Sequence, residues 1–429
     1  MKQNEYMPRL VDALIERYLK IFGAIAIEGP KWCGKTETGK HFAKSNINLA
    51  NPNNNYANKM MAKLNSLSIF DGDKPKLIDE WQEAPSIWNA IKEFVSESKL
   101  KGQLILTGSS TPNDNEQKHL HSGAGRIGRI QMRPFTLFES EISTGSIKMS
   151  ALFNNDSIKT ASGKLDLKSL IEIIIKGGWP ALNTRDNILT LKDVMTINRE
   201  YINNISYFDI NTVDGIKKDP IKIKLVLRSL ARNISTLVKS STIFRDVQIN
   251  DKDEVSKITI LNYISLLKRL YIVEDVPGWS PEIRSKIRMQ TSPKRIFVDP
   301  SLAVATLEMD AEWLTKDLKT LGFLFENLVI RDLLSIARIN EWHVYHYRDN
   351  SDLEIDVIIE KSYQQWAALE IKLGTIELEK TCKKMILFKN KIIRNGGTKP
   401  QFLAIVVGVG ATYHKTKEGI HIIPIDCLN

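Results

Sequence analysis

The segment Gly29–Thr36 limits what this 429-residue chain can fold into more strongly than any other stretch. Two glycines separated by four residues precede a lysine and a threonine, which is the pattern of a phosphate-binding loop. The apolar run Ala24–Glu28 predicts a strand before the loop, and a helix is predicted to begin at Lys35. In this setting backbone N–H groups and a helix amino terminus bind phosphate oxygens.

Every residue of the loop is a candidate nucleotide contact. The set is Gly29, Pro30, Lys31, Trp32, Cys33, Gly34, Lys35 and Thr36. Lys35 is expected to reach the β- and γ-phosphates of a nucleoside triphosphate, and the Thr36 hydroxyl is expected to ligate Mg²⁺. The pattern therefore predicts a site for ATP and Mg²⁺.

Polar residues end the next two predicted strands, Lys76–Asp79 and Gln103–Thr107. Strands that alternate with helices predict an α/β fold with a parallel sheet covered on both faces. Asp79 is expected to reach the magnesium shell, and Thr107 to sense the γ-phosphate or orient a water. Glu80 could polarise that water, which indicates hydrolysis; alternatively it is a surface carboxylate that starts the next helix.

Two arginines, Arg126 and Arg129, follow the polar stretch 111–125, which predicts a surface loop. An arginine stabilises charge on a transferring phosphoryl group, and it can act from a neighbouring subunit. Such an arginine finger in trans requires a homo-oligomer. Either side chain could equally be a structural ion-pair partner.

Together these motifs resemble the AAA-type P-loop ATPases, and more closely a prokaryotic subgroup of them. The matching residues are 29–36, 77–80, 106–110 and 133–135. The resemblance implies a domain that binds and hydrolyses Mg-ATP. It also implies a carboxyl-terminal domain of unknown function, number 4143, with a nuclease-like core.

The middle of the chain is basic. Net charge is +10, and residues 221–300 carry 15 Lys and Arg against 8 Asp and Glu, a local field that would attract a polyanion such as DNA. Helices are predicted at 221–239, 241–249 and 255–271, and strands follow at 273–279 and 294–299. This order resembles a winged helix-turn-helix.

Side chains on these helices divide into two predicted sets. The buried set is Ile221, Leu225, Leu230, Ile234 and Leu237 in the first helix and Ile258, Leu261, Ile264 and Leu267 in the last. The DNA-facing set is Lys222, Lys224, Arg228, Arg232, Lys257, Thr259, Asn262, Ser265 and Lys268, with Arg284, Lys286 and Arg288 on the wing. The alternative is a helical lid with a protein-facing surface.

In the carboxyl-terminal third, a predicted helix carrying Glu326 precedes hairpin strands at 344–349 and 354–360. A further strand, Ala367–Lys372, follows. Acidic residues occur on each of these elements. Their order resembles the PD-(D/E)XK nuclease core.

That resemblance assigns four candidate catalytic residues. Asp356 and Glu370 would hold Mg²⁺, and Lys372 would orient or activate the attacking water. Glu370 and Lys372 share one strand face because side chains alternate along a strand. Glu326 would complete the site from its helix.

Four regions are predicted within this α/β chain. An AAA-type ATPase domain spans 1–145, a helical lid or linker 146–220, a winged helix-turn-helix 221–310, and a restriction-endonuclease-like α/β domain 311–429. Two functional classes remain: an ATP-dependent nuclease, or an ATP-switched DNA-binding or scaffolding protein whose nuclease-like domain does not cleave.

Several classes of protein are disfavoured. Apolar runs such as Ser169–Ile175 are strand-sized, so no membrane span is expected, and the charged amino terminus indicates a cytoplasmic location. Three cysteines, Cys33, Cys382 and Cys427, are too few and scattered for a disulfide framework or zinc site.

The asparagine-rich stretch Asn46–Asn58 predicts a surface loop.

Overall fold

Residues 6–110, 123–184, 188–250, 255–281, 292–362 and 364–429 are described by the computed structural model. They form two units. The first comprises Met1–Pro134, Tyr207–Lys218 and Ser265–Ile272, and the second comprises Phe135–Ser206, Asp219–Ile264 and Val273–Asn429. The predicted wing cations Arg284, Lys286 and Arg288, and residues 111–122 of the predicted loop, lie outside the described residues.

A parallel sheet forms the centre of the first unit. Its described strands are β1 (Ala24–Glu28), β2 (Ser45–Asn48), β3 (Lys76–Asp79), β4 (Leu104–Gly108) and β5 (Ile127–Gln131), in the order β2-β3-β4-β1-β5. Strands β1, β3 and β4 are buried along their whole length, as expected for a parallel sheet covered on both faces. The α/β prediction is confirmed, and the carboxyl ends of these three strands lie side by side.

Four helices of the first unit accompany this sheet in the described residues. They are α1 (Asp12–Ile21), α2 (Lys35–Phe42), α3 (Asn53–Leu64) and α4 (Ile87–Ser98). Helix α2 begins where predicted, directly after Gly34, whose φ of 98° is readily adopted by glycine. Trp81 and Trp88 pack with the inward side chains of β1 and β4 in one apolar cluster.

The prediction of a loop at Asn46–Asn58 was wrong. Strand β2 pairs in parallel with β3, and α3 follows. Backbone pairing at the sheet edge outweighs the low strand propensity of asparagine. Two asparagines serve the connection instead, because the side chain of Asn48 accepts from the Ala50 N–H and that of Asn51 accepts from the Asn53 N–H.

The second unit contains most of the described helices. They are α5 (Met149–Asn154), α6 (Leu167–Lys176), α7 (Leu191–Asn204), α8 (Pro220–Arg232), α9 (Ser240–Asn250), α10 (Lys257–Arg269), α11 (Pro300–Leu307), α12 (Ala311–Lys316), α13 (Leu318–Ile339) and α14 (Leu378–Arg394). Residues 265–269 of α10 belong to the first unit. The run Ser169–Ile175, which has the length of a strand, is helical and lies in α6. No described helix is long and apolar enough to cross a membrane.

Helices α8–α10 lead into an antiparallel pair, β6 (Val273–Val276) and β7 (Lys294–Phe297), in the predicted order. The predicted buried faces were partly wrong. Ile221, Ile258 and Leu261 are exposed. The buried stripes are Ile223, Val226, Leu227 and Leu230 in α8, and Ile260, Tyr263, Ile264, Leu266 and Leu267 in α10. Asp219 caps α8 at its start, so Ile221 falls in the solvent-facing first turn.

A mixed sheet carries the carboxyl-terminal residues. Its described strands are β8 (His343–Arg348), β9 (Glu354–Ser362), β10 (Gln365–Lys372), β11 (Leu403–Val407), β12 (His414–Lys415) and β13 (Ile420–Pro424), in the order β12-β13-β11-β10-β9-β8. The predicted hairpin of β8 and β9 and the neighbouring strand β10 are confirmed. Met385 and Phe388 of α14 pack with Trp366 in the core beneath this sheet.

Candidate functional site

The phosphate loop is tightly curled between β1 and α2. Trp32 and Gly34 both have positive φ, 68° and 98°. A Cβ atom added at Gly29 would lie 2.1 Å from the carbonyl oxygen of Met132, so this position accepts only glycine without a backbone shift. Cys33 is a buried free thiol whose sulfur lies 3.7 Å from the same oxygen.

Lys35 and Thr36, the first two residues of α2, form hydrogen bonds with different parts of the site. The Lys35 ammonium is buried and donates to the carbonyl oxygen of Pro30 at 2.6 Å, inside the curl of the loop. The Thr36 hydroxyl donates to Oδ1 of Asp79 at 2.9 Å. The loop thus brings together a cation for phosphate and a hydroxyl beside a carboxylate.

Asp79 is the centre of a polar network at the strand ends. Its Oδ1 also accepts a hydrogen bond from the Thr107 hydroxyl, and its Oδ2 accepts one from the Asn48 amide at 3.0 Å. Asn48, Asp79 and Thr107 stand opposite one another in the register of β2, β3 and β4. The carboxylate and the Thr36 hydroxyl are hard oxygen donors, and they fit Mg²⁺. Asn48 was missed because its place beside Asp79 depends on the pairing of β2.

Glu80 is held beside this network. Its backbone has a left-handed φ of 56°, which turns the chain sharply after β3. The Gln82 amide and the Ser109 hydroxyl both donate to Oε2 of Glu80, the latter at 3.4 Å. Glu80 is therefore half-buried and oriented by two neighbours.

The two candidate finger arginines have partners within the first unit. Arg126 donates to the Ser96 hydroxyl at 2.5 Å. Arg129 donates to Oε1 of Glu28 at 2.6 Å, and its guanidinium lies 4.5 Å from the ring centroid of Trp88. The ion-pair alternative therefore describes Arg129 in this conformation, and an arginine finger stays a prediction.

The carboxyl-terminal candidates surround a lysine that the sequence interpretation did not assign to the site. Lys294 of β7 is 1% exposed, and its Nζ lies 2.5 Å from Glu326, 3.6 Å from Glu354 and 3.9 Å from Asp356. Burial alone would lower the pKa of Lys294, but the three carboxylates raise it above its ordinary value. The ammonium therefore stays charged at neutral pH.

Glu370 lies among two further lysines. Its buried carboxylate is 2.6 Å from Lys384 Nζ and 3.2 Å from Lys372 Nζ. Burial, followed by the nearby charge of Asp356, raises the pKa of Glu370 to about 7, and Lys384 and Lys372 oppose this rise. Asp356 itself accepts from the Ile371 N–H at 2.8 Å.

The four predicted nuclease-like residues are thus neighbours, but each of the three carboxylates among them is paired with a lysine. Lys294 lies between Glu326 and Asp356, and lysines flank Glu370. In the part of the chain that the structure describes, no group of three or more His, Cys, Asp or Glu side chains is arranged to hold a metal ion. This donor set does not fit Mg²⁺.

Three known family models match successive parts of the chain. Residues 22–141 match the family model described as an AAA domain. The chain contains an AAA-type P-loop ATPase domain. Residues 167–312 and 321–428 match two models described as domains of unknown function, DUF8612 and DUF4143. The prediction that one chain carries both an AAA domain and the 4143 domain is confirmed. A search of curated proteins found no match to the chain.

Several solved structures are similar to long parts of the chain. A structure of the Aeropyrum pernix ORC1 protein in complex with DNA is 14% identical, with 73% of this chain and 96% of that chain covered and a TM-score of 0.27. The Thermotoga maritima RuvB Holliday junction branch migration motor is 14% identical, with 62% and 89% covered and a TM-score of 0.26. AMPPCP-bound DnaA from Aquifex aeolicus is 12% identical, with 60% and 86% covered and a TM-score of 0.27. Scores of this size do not establish a shared overall fold.

Two residues before α1 support the AAA domain's loop and were missed. Arg9, which is buried, donates to the carbonyl oxygens of Cys33 and Arg133 at 2.8 and 2.7 Å. The Tyr6 ring stacks on His41 of α2 with 3.9 Å between centroids. No sequence pattern marks these residues, because their contacts form only when the chain before α1 packs against the phosphate loop, Arg133 and α2.

Proposed function

We propose that the AAA domain binds Mg-ATP at Gly29–Thr36 and hydrolyses it. The observation that carries this proposal is the Asp79 carboxylate, which accepts hydrogen bonds from Thr36 and Thr107 at the ends of adjacent elements. Thr36 and Asp79 would hold Mg²⁺, and the ion would neutralise charge on the β- and γ-phosphates. Lys35 would exchange its bond to the Pro30 carbonyl for a phosphate oxygen.

Glu80 is the proposed general base. Its carboxylate would take a proton from water while the water oxygen bonds to the γ-phosphorus and the bond to the ADP oxygen breaks. The Gln82 amide and the Ser109 hydroxyl orient that carboxylate through the hydrogen bonds on its Oε2. Thr107 would position the water through the shared Asp79 network.

ATP binding and turnover test the assignment separately. Lys35→Ala is expected to abolish ATP binding, whereas Glu80→Gln is expected to bind ATP and to lower kcat by at least about 100-fold. Glu97→Gln, which alters an exposed carboxylate on α4, is the matched control and should keep full activity. Equal ATPase rates in Glu80→Gln and the control would remove Glu80 from this role.

We further propose that the nucleotide state controls binding of DNA to the second unit. Exposed cations on three consecutive helices support this, namely Arg228 of α8, Arg245 of α9 and Lys257 of α10. Cations in such positions neutralise phosphates and release counterions. Lys257→Ala should weaken DNA binding at every sequence and reduce the salt slope by about 1, whereas Lys399→Ala, another exposed lysine, should do neither.

A protein partner is the second candidate for this surface. Ile258 and Leu261 of α10 are 80% and 42% exposed, and large apolar side chains are typical of protein interfaces. Double substitution of both by serine should leave DNA affinity unchanged in this case. It should abolish a protein complex detected by co-purification.

The carboxyl-terminal domain has two candidate roles. Asp356, Glu370 and Lys372 lie near one another, as cleavage of nucleic acid would require. The lysines paired with these carboxylates favour a domain that does not cleave. Plasmid incubated with Mg²⁺ and ATP, beside Asp356→Ala, separates the roles, because nicking that is lost in the variant indicates a nuclease.

A further inference from the structure

Lys294 lies within the carboxyl-terminal acidic cluster, defined as Glu326, Glu354, Asp356 and Glu370, and it contacts three of these four side chains. Its ammonium lies within 4 Å of the first three carboxylates. Nζ also donates to the carbonyl oxygen of Asp356 at 3.4 Å. With 1% of its side chain exposed, Lys294 is an internal cation and not a surface lysine that happens to lie nearby.

The backbone around Lys294 limits how far its ammonium can move. Lys294 pairs with Val276 across the β6–β7 hairpin. That hairpin is attached to β8, because the Trp279 N–H donates to the His346 carbonyl at 2.7 Å and the His346 N–H donates to Pro277 at 3.0 Å. The His346 ring donates from Nε2 to the Ser292 carbonyl at 3.2 Å. Both strands of the hairpin are therefore attached to His346 of β8 at the end where Lys294 lies, which holds the Lys294 backbone in place.

The charges of the cluster are already compensated. Four carboxylates face three ammonium groups, since Lys372 and Lys384 lie beside Glu370. Arg348 adds a guanidinium 4.0 Å from Glu354. A divalent cation needs carboxylate oxygens at about 2.0–2.6 Å and uncompensated negative charge. Lys294 would repel it strongly across such a short distance in a buried site.

We propose that the Lys294 ammonium is the permanent cation of Glu326, Glu354 and Asp356, and that it neutralises the Asp356 carboxylate that a nuclease-like site would use to hold a divalent metal. The cluster then joins the β6–β7 hairpin to the carboxyl-terminal sheet without metal, and the domain does not cleave nucleic acid. This role is independent of ATP hydrolysis by the AAA domain. Failure of this proposal can therefore be distinguished from failure of the proposal that the AAA domain hydrolyses ATP.

Thermal unfolding of the full-length, nucleotide-free protein tests the proposal. Wild type should melt at the same temperature in EDTA and in millimolar Mn²⁺. A shift in melting temperature that wild type and Asp356→Asn share would come from Mn²⁺ bound elsewhere, so it does not count. Lys294→Met leaves three carboxylates without their cation, so it should melt lower in EDTA and regain at least about 3 °C in Mn²⁺. Adding Asp356→Asn to Lys294→Met should abolish that gain.

Lys384→Met is the matched control, because it removes a lysine from Glu370 but keeps Lys294 in the cluster. It should respond to Mn²⁺ no more than wild type does. A Mn²⁺-induced shift of wild type that Asp356→Asn removes would overturn the proposal, and so would Mg²⁺-dependent plasmid nicking that requires Asp356. If Lys294→Met does not fold, Lys294→Gln replaces it, and the wild-type comparison still decides.

Discussion

Arg9 stabilises the phosphate loop through a 2.8 Å hydrogen bond from its guanidinium to the carbonyl oxygen of Cys33. Cys33 directly precedes Gly34, where the chain enters α2. A second hydrogen bond, to the Arg133 carbonyl at 2.7 Å, connects the loop to the end of β5. The conformation of the loop thus depends on a residue 20 positions before it in the sequence.

Replacing Arg9 by methionine should therefore weaken ATP binding. Loss of two charged hydrogen bonds in a buried place costs about 1.5–3 kcal/mol, so we expect KM for ATP to rise about 10- to 100-fold. In the proposed mechanism the loop would contact ATP equally before and during the reaction, so kcat should change less than KM. Steady-state ATPase measurements check this. Lys20→Met, an exposed lysine of α1, should behave as wild type, and a lower kcat at unchanged KM in Arg9→Met would contradict the assignment.

Thr107 of β4 orients Asp79. In contrast to the change at Arg9, a change at Thr107 should lower kcat more than it raises KM. Thr107→Val keeps the shape of the side chain but removes the hydroxyl that donates to Asp79 Oδ1. We expect kcat for ATP to fall about tenfold with little change in KM, because the loss of about 1–1.5 kcal/mol falls on orientation during the reaction. Thr107→Ser should restore kcat. If serine is as slow as valine, the hydroxyl has no such function.

The positions of Asp79, Glu80 and Thr107 could be predicted because each follows a short apolar run. Strand ends are local features of the sequence, and parallel strands bring their carboxyl ends together. Asn48 escaped prediction for the opposite reason. Its strand is polar, and only pairing with β3 places its amide on Asp79.

Lys294 shows a second limit of the sequence. The spacing of Asp356, Glu370 and Lys372 predicts their proximity, because they lie on neighbouring strands. Nothing in that spacing indicates a lysine that enters the cluster from a hairpin about 60 residues earlier. The prediction of which face of α10 is buried was partly wrong for a related reason. Tyr263 and Leu266 add apolar surface on the side that the core covers, and the spacing of the other apolar residues did not indicate this.

Arg331 should be among the most important residues for the stability of the second unit. Its buried guanidinium lies 2.7 Å from Asp299 and 2.8 Å from Asp332. Arg331→Met leaves two buried carboxylates without their cation, so the free energy of unfolding should fall by about 3–5 kcal/mol. Denaturant unfolding measures it. Lys316→Met breaks an exposed ion pair with Glu312 and should change the free energy of unfolding by less than about 1 kcal/mol; similar losses in both variants would contradict the role of burial.

His346 should make stability depend on pH. Burial, helped by the positive charge of Lys294, lowers the pKa of its ring from 6.5 to about 4. Between these values the unfolded chain takes up a proton that the folded chain does not. The free energy of unfolding therefore falls as pH drops from 6.5 to 4, by up to about 3 kcal/mol, and the contribution is constant outside that window.

His346→Gln removes this titration but keeps a side chain that can donate to the Ser292 carbonyl. Its free energy of unfolding should fall less steeply than that of wild type between pH 6.5 and 4, as measured by urea unfolding at each pH. His421, whose pKa burial lowers to about 4 as well, contributes to the slope that remains, and the raised pKa of Glu370 acts in the opposite direction. His414→Gln alters an exposed ring on β12 and should leave the wild-type slope. Parallel pH curves for His346→Gln and wild type would show that folding does not change the pKa of His346 and would contradict this prediction.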